Sequence, residues 1–238
     1  MNWLILAIAP GVAISSYIIF KDEYNKEPRK HLIISFILGI ISIVPAMVLE
    51  LPLLRADQMP FFSSTFGNAL KAFLMVALPE ELAKFLMLKF YAYRQPEYDE
   101  PFDGIVYAVM VGMGFATAEN IMYVYEYGIA TGVVRMFLAV PAHATFAIIM
   151  GYFMGKAKFS QKREGYLLLA GLFWAVVFHG SYDFFLFIKD AEHTQSEFSL
   201  LMLLGAIVSL LTGIILSKKA INAHLQQSAE THTANKDD

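Results

Sequence analysis

Apolar residues in this chain run together instead of alternating with polar ones. Seven blocks stand out, roughly at residues 2–20, 31–51, 69–91, 104–125, 133–155, 166–188 and 198–216. Each is about twenty residues long, enough to cross ~30 Å of hydrocarbon at ~1.5 Å of helical rise per residue. The period-two alternation of membrane-barrel strands is missing. The pattern predicts an all-α fold, a polytopic transmembrane helix bundle of about seven spans. Residues 1–217 read as one integral membrane domain. Residues 218–238, which end in HLQQSAETHTANKDD, read as a polar, disordered tail.

Composition agrees with this picture and removes several functions. Of 238 residues, 57% are hydrophobic, where a soluble domain is nearer half. The net charge is −3 and no basic stripe occurs outside the short loops, so nucleic acid is not an expected partner, whereas the lipid bilayer is. There is no cysteine, which excludes a thiol nucleophile, a disulfide framework and thiolate-bound metal. The opening stretch MNWLILAIAPGVAISSYIIF lacks a basic leader, so it is expected to be the first span and not a cleaved signal.

Lysine and arginine set the expected orientation. Loops 21–30 and 156–165 carry four basic residues each, and Lys218 and Lys219 follow the last block. Loops 52–68 and 189–197 carry one each. The basic segments are expected on the cytoplasmic side, with the N-terminus outside and the C-terminus inside.

Ionisable residues inside the blocks are where chemistry is expected, because burying them in a bilayer is costly. The third block carries Glu80, Glu81 and Lys84, and the fourth Glu119 and Asn120. The fifth carries His143, and the sixth His179 and Asp183. With antiparallel neighbours, all fall at the midplane or slightly toward the outer face. Glu80 and Lys84 are four apart and share a helical face, as do His179 and Asp183. Taken singly, the acid–lysine pair can be structural, Asn120 can be interhelical glue, and a lone histidine can be a packing group. Their shared depth is what those readings leave unexplained.

Carboxylates, imidazoles and no thiol suit acid–base hydrolysis, with or without a metal. HExxH, G-x-S-x-G and G-x-G-D are absent, which sets aside the common zinc-helix, serine and aspartyl arrangements. In this order and spacing, PEELAKF, PFDGIVYA, GFATAENIMY, PAHATFAIIMGYFMGKA and HGSYDF resemble the PrsW family of multispanning bacterial proteases. KDEYNKEP is similar to that family's early loop, and the resemblance covers roughly residues 9–188.

That resemblance implies an intramembrane endopeptidase of the bacterial cell membrane. Such an enzyme makes the first regulatory cut in a single-pass membrane protein, an anti-sigma factor, on its extracytoplasmic side, and a stress response follows. The family is distantly similar to the CAAX-prenyl endopeptidases. Carried over, Glu80 and Glu81 match the paired glutamates, His143 the first histidine, and His179 with Asp183 the last pair. The relatives often place asparagine where this chain has Asp183. Under this reading Glu80 or Glu81 activates water, which His143 shares. His179 steadies the oxyanion, Asp183 orients His179, and Lys84 keeps one carboxylate ionised. Glu119 and Asn120 line the cavity or bind substrate backbone.

Two alternatives use the same residues. One is a metallopeptidase, with Zn²⁺ held by Glu and His. The other, of a different class, is a proton-coupled transporter or membrane sensor, since buried Glu and His also build proton relays.

Overall fold

The computed structural model describes residues 3–56, 60–191 and 196–237. Among them every regular element is helical: α1 (Trp3–Lys21), α2 (Arg29–Ala56), α3 (Thr65–Leu70), α4 (Leu78–Phe90), α5 (Asp103–Tyr127), α6 (Ile129–Phe137), α7 (Ala139–Lys158), α8 (Glu164–Ala191) and α9 (Ser196–Asp237), with short 3₁₀ turns and one π-helical stretch. Among the described residues, six helical segments are long and apolar enough to cross a membrane. The predicted third span is composite: α3, a π-helix over Lys71–Ala77, then α4. Pro79 has no N–H to donate, and the wide turn closes just before it, where the Leu78 N–H reaches back five residues to the Phe73 carbonyl.

The predicted fifth span is also divided, between α6 and α7 at Leu138. The cause is Pro141, which cannot donate and crowds the carbonyl four residues earlier. Gly128, at φ 87°, makes the turn between α5 and α6, a conformation that side chains other than glycine resist.

α5 is the axis of the bundle and is buried along most of its length. α1, α2 and α7 pack around it, α4 joins α2, α8 lies on α7, and α9 lies outside α7 and α8. Bilayer lipid is as apolar as leucine, so helices associate through close packing more than through the hydrophobic effect. A Cβ on Gly114 would land on the Phe36 carbonyl of α2, and one on Gly151 would land on the Gly104 carbonyl. These contacts bring α2 and α7 backbone-close to α5 and so bring their polar residues together.

The sequence predicts a disordered tail from residue 218, but α9 continues as helix to Asp237. The reason is a buried stripe, Ile221, His224 and Ser228. His224 stacks on Tyr152 of α7 at 4.5 Å between ring centroids.

The early loop and the start of α5 meet at one end of the bundle, away from the ionisable residues at mid-depth. Tyr107 donates to Glu27, and Asp103 Oδ2 accepts from the backbone N–H groups of Asp99 and Glu100 at 2.9 and 2.7 Å. Burial raises the Glu27 carboxyl to about 7, against the hydrogen bond from Tyr107.

Candidate active site

α4 begins at Leu78, continuous with the π-helical stretch, and Glu80 and Glu81 follow Pro79 in its first turn. Glu80, Glu81, Lys84, His143 and His179 are all buried. The Lys84 ammonium lies 3.2 Å from Glu80 Oε2, 2.7 Å from Glu81 Oε1 and 3.4 Å from His143 Nδ1. It also sits over the Phe115 ring, 4.0 Å from its centroid. Lys84 therefore contacts both glutamates, where the sequence predicts a role toward one.

The histidines meet this group from α7 and α8. Their rings lie 5.2 Å apart, edge to face. His179 Nδ1 is 2.9 Å from Glu81 Oε1, and its Nε2 is 3.2 Å from Asp183 Oδ2 and 3.9 Å from Glu80 Oε2. Phe146 stacks on the same ring at 4.8 Å and fixes its plane. His143 Nε2 is 2.9 Å from Glu119 Oε2. Each imidazole thus turns one nitrogen toward an outer carboxylate and the other toward the Glu80–Glu81–Lys84 centre. That is how proteins commonly orient catalytic or metal-binding histidines.

Asn120 stands apart from the centre. Its Nδ2 donates to the Ala7 carbonyl of α1 at 3.0 Å and its Oδ1 accepts from Arg135 Nε at 3.1 Å. Both ends of the amide are used inside the protein, tying α5 to α1 and α6. Glu119 faces the site indirectly, through His143.

Two residues escaped the sequence reading. Arg135, from α6, places Nη2 2.6 Å from Glu119 Oε2 and its guanidinium 3.9 Å from the Tyr123 ring centroid. Glu50, half-buried near the end of the second apolar block, lies within electrostatic range of Glu119, His179, Lys84 and Asp183. Both sit near block edges, where a charge reads as interfacial. Their only signal was being single charges in otherwise apolar runs.

The donor chemistry fits a metal. One ligand atom from each of Glu80, Glu81, His143 and His179 falls within 4.8 Å of the others. Glu81 Oε2 is buried with no hydrogen-bond partner. Two carboxylates and two imidazoles, braced by Glu119 and Asp183, are a set that suits zinc.

Known proteins agree with this chemistry. Residues 27–214 match the family described as PrsW family intramembrane metalloprotease. Protease PrsW of Geobacillus kaustophilus (strain HTA426) is 40% identical over 183 residues, covering 77% of this chain and 79% of that protein. Protease PrsW of Bacillus subtilis (strain 168) is 38% identical over 180 residues, 75% of this chain and 80% of that protein. Protease PrsW of Clostridioides difficile (strain 630) is 34% identical over 196 residues, 79% and 81% respectively. No solved structure matches the chain. A helical bundle with membrane-length spans, a buried Glu–Glu–Lys–His–His centre and this extent of similarity lead to one conclusion: the chain belongs to the PrsW family of intramembrane proteases and is a peptidase.

Proposed function

We propose that this chain is a metal-assisted endopeptidase that makes the first regulatory cut in a single-pass membrane protein, such as an anti-sigma factor, at the outer side of the bacterial cell membrane. The convergence of Glu80, Glu81, His143 and His179 from three helices at one buried point carries this reading. In it Glu81, His143 and His179 would hold the ion, the His₂Glu set of many zinc peptidases. A bound zinc supplies Lewis acidity to the scissile carbonyl and lowers the pKa of its water toward ~7.

The remaining work falls to the chain's own groups. Glu80 is the less engaged carboxylate, since Glu81 Oε1 already lies 2.7 Å from Lys84 Nζ and 2.9 Å from His179 Nδ1. Glu80 Oε2 takes the proton from the attacking water and returns it to the leaving amine. Lys84 offsets the negative charge that two buried carboxylates would otherwise concentrate. Asp183 and Glu119 set the planes of His179 and His143. Arg135 in turn holds Glu119. An enzyme that used the same glutamates on water without metal would keep these roles, with His179 donating to the oxyanion. Transport and sensing are set aside by membership in a peptidase family. The basic loops 21–30 and 156–165 support an orientation with the N-terminus outside and the C-terminus inside.

The test compares N-terminal peptides of membrane proteins between cells with the native chain and cells with Glu80→Gln plus His143→Ala. New N-termini on the outer side of single-pass proteins, lost in the double variant, are expected and would name the substrate. Identical profiles under several envelope stresses would overturn the proposed substrate class.

A further inference from the structure

Between α7, α8 and α9 lies an open cavity of about 420 Å³. Ile149, Tyr152, Phe153, Trp174 and Phe178 line it, and Lys219 of α9 sits on its wall. An apolar crevice on the outside of a membrane bundle would be filled by any acyl chain. The cations at this one make it selective.

On α9 the exposed apolar stripe runs through Val208, Leu211, Ile215 and Leu216 and stops there. After the buried Ser217 come Lys218 and Lys219, both exposed. That change of character marks the level where hydrocarbon gives way to headgroups on this face, within reach of a lysine that extends its ammonium toward water. Lys156 of α7 flanks the same crevice, with Nζ 3.4 Å from the Tyr152 hydroxyl and 5.1 Å from that ring's centroid.

No carboxylate lines the cavity, and among the described residues none pairs with Lys219. Glu164, at the start of α8, pairs with Lys89 at 3.0 Å. Two ammonium groups thus stand at the headgroup level of an apolar slot with no carboxylate partner among the described residues. Basic pockets between membrane helices are where anionic headgroups bind.

We propose that this crevice is a binding site for an anionic glycerophospholipid. One acyl chain lies against Ile149, Phe153, Trp174 and Phe178, and the headgroup phosphate rests on Lys219 and Lys156. A zwitterionic lipid offers the same tail and phosphate, but its own ammonium meets the lysines and cancels the gain. Because Phe178 precedes His179, the bound tail packs on the helix that presents His179 and Asp183 to the site.

The chain has two tryptophans, so Trp3→Phe leaves Trp174 as a local reporter. The full-length variant is placed in phosphatidylcholine vesicles containing a fixed fraction of either phosphatidylglycerol or phosphatidylcholine with brominated acyl chains. Phosphatidylglycerol is expected to quench Trp174 preferentially, by about fivefold in relative affinity for each lysine engaged. Lys219→Ala lowers that preference about fivefold, Lys219→Arg retains it, and Lys219→Ala with Lys156→Ala makes the two lipids equal. Both lysines are exposed, so an unchanged thermal midpoint and elution volume check that the variants fold. Equal quenching by the two lipids in the native sequence, or a preference that survives in the double variant, overturns the proposal. So does protection of Trp174 from both lipids, because protein would then cover the crevice.

Discussion

Arg135 is the residue whose replacement says most about how the site is held. Its side chain and that of Glu119 are 13% and 14% exposed, and they meet at 2.6 Å. Removing one partner of a buried ion pair leaves a desolvated charge, at a cost of ~3–5 kcal/mol. Here His143 still contacts Glu119 from the other side at 2.9 Å, and slight exposure lets water in. The cost of Arg135→Ala should therefore fall to about 2–3 kcal/mol, including the lost stacking on Tyr123. The larger effect should be catalytic. Glu119 without its guanidinium can swing away and release His143, and losing such an outer partner typically costs ~10–100-fold in activity or metal affinity. Cleavage of a single-pass reporter in proteoliposomes, with metal content measured on the same sample, reads both. Arg135→Lys should recover part of the activity, because one ammonium can reach Glu119 but cannot also satisfy Asn120. A double-mutant cycle with Glu119→Gln should show coupling above ~1 kcal/mol in transition-state free energy. Activity within twofold of native in Arg135→Ala, or additive effects in the cycle, would refute the chain of contacts from Arg135 to His143.

Further outcomes follow from the same structure. Exhaustive chelation should abolish cleavage, zinc should restore it, and about one ion per chain should co-purify; full activity in the stripped protein would rule the metal out. Burial raises the Glu27 carboxyl from 4.5 to about 7, so the folded state holds a proton that the unfolded chain releases. Its stabilising contribution is then complete below pH ~4.5 and lost as pH rises through ~7. The thermal midpoint should fall across that window, and Glu27→Gln should flatten the fall; a profile unchanged by that substitution would remove Glu27 as its cause. Gly114→Val should destabilise by at least the ~1–3 kcal/mol typical of overpacking, because the added atoms meet the α2 backbone at Phe36. A thermal midpoint equal to native would show that α2 and α5 are not in contact there.

Much of the architecture was legible along the chain, and for a simple reason. A bilayer requires every spanning backbone group to be bonded within its own segment, so a run of about twenty apolar residues is already nearly a structure. The cost of charge in that setting also makes Glu80, Glu81, Lys84, His143, His179 and Asp183 conspicuous in the sequence, and the fold brings all six together. The breaks were harder to read. Pro79 and Pro141 were visible, but their effect depends on which carbonyl is left without a donor, and the answer was a π-helical stretch in one case and a new helix in the other.

Other features belong to tertiary structure alone. From the sequence Asn120 can be interhelical glue or a cavity residue; the positions of Ala7 and Arg135 put both ends of its amide in use. Arg135 and Glu50 carried no periodic signal, because a single charge near a block edge is equally at home in the interface or turned inward. The segment after Lys219 looked like solvent-exposed tail by composition, yet Ile221, His224 and Ser228 recur at helical spacing and are buried. Hydropathy is a local sum, and it identified the spans and the costly charges within them. Which face of each helix turns inward, and so which charges find partners, depends on backbone-close contacts between residues far apart in the chain. Those contacts exist only once the bundle is assembled.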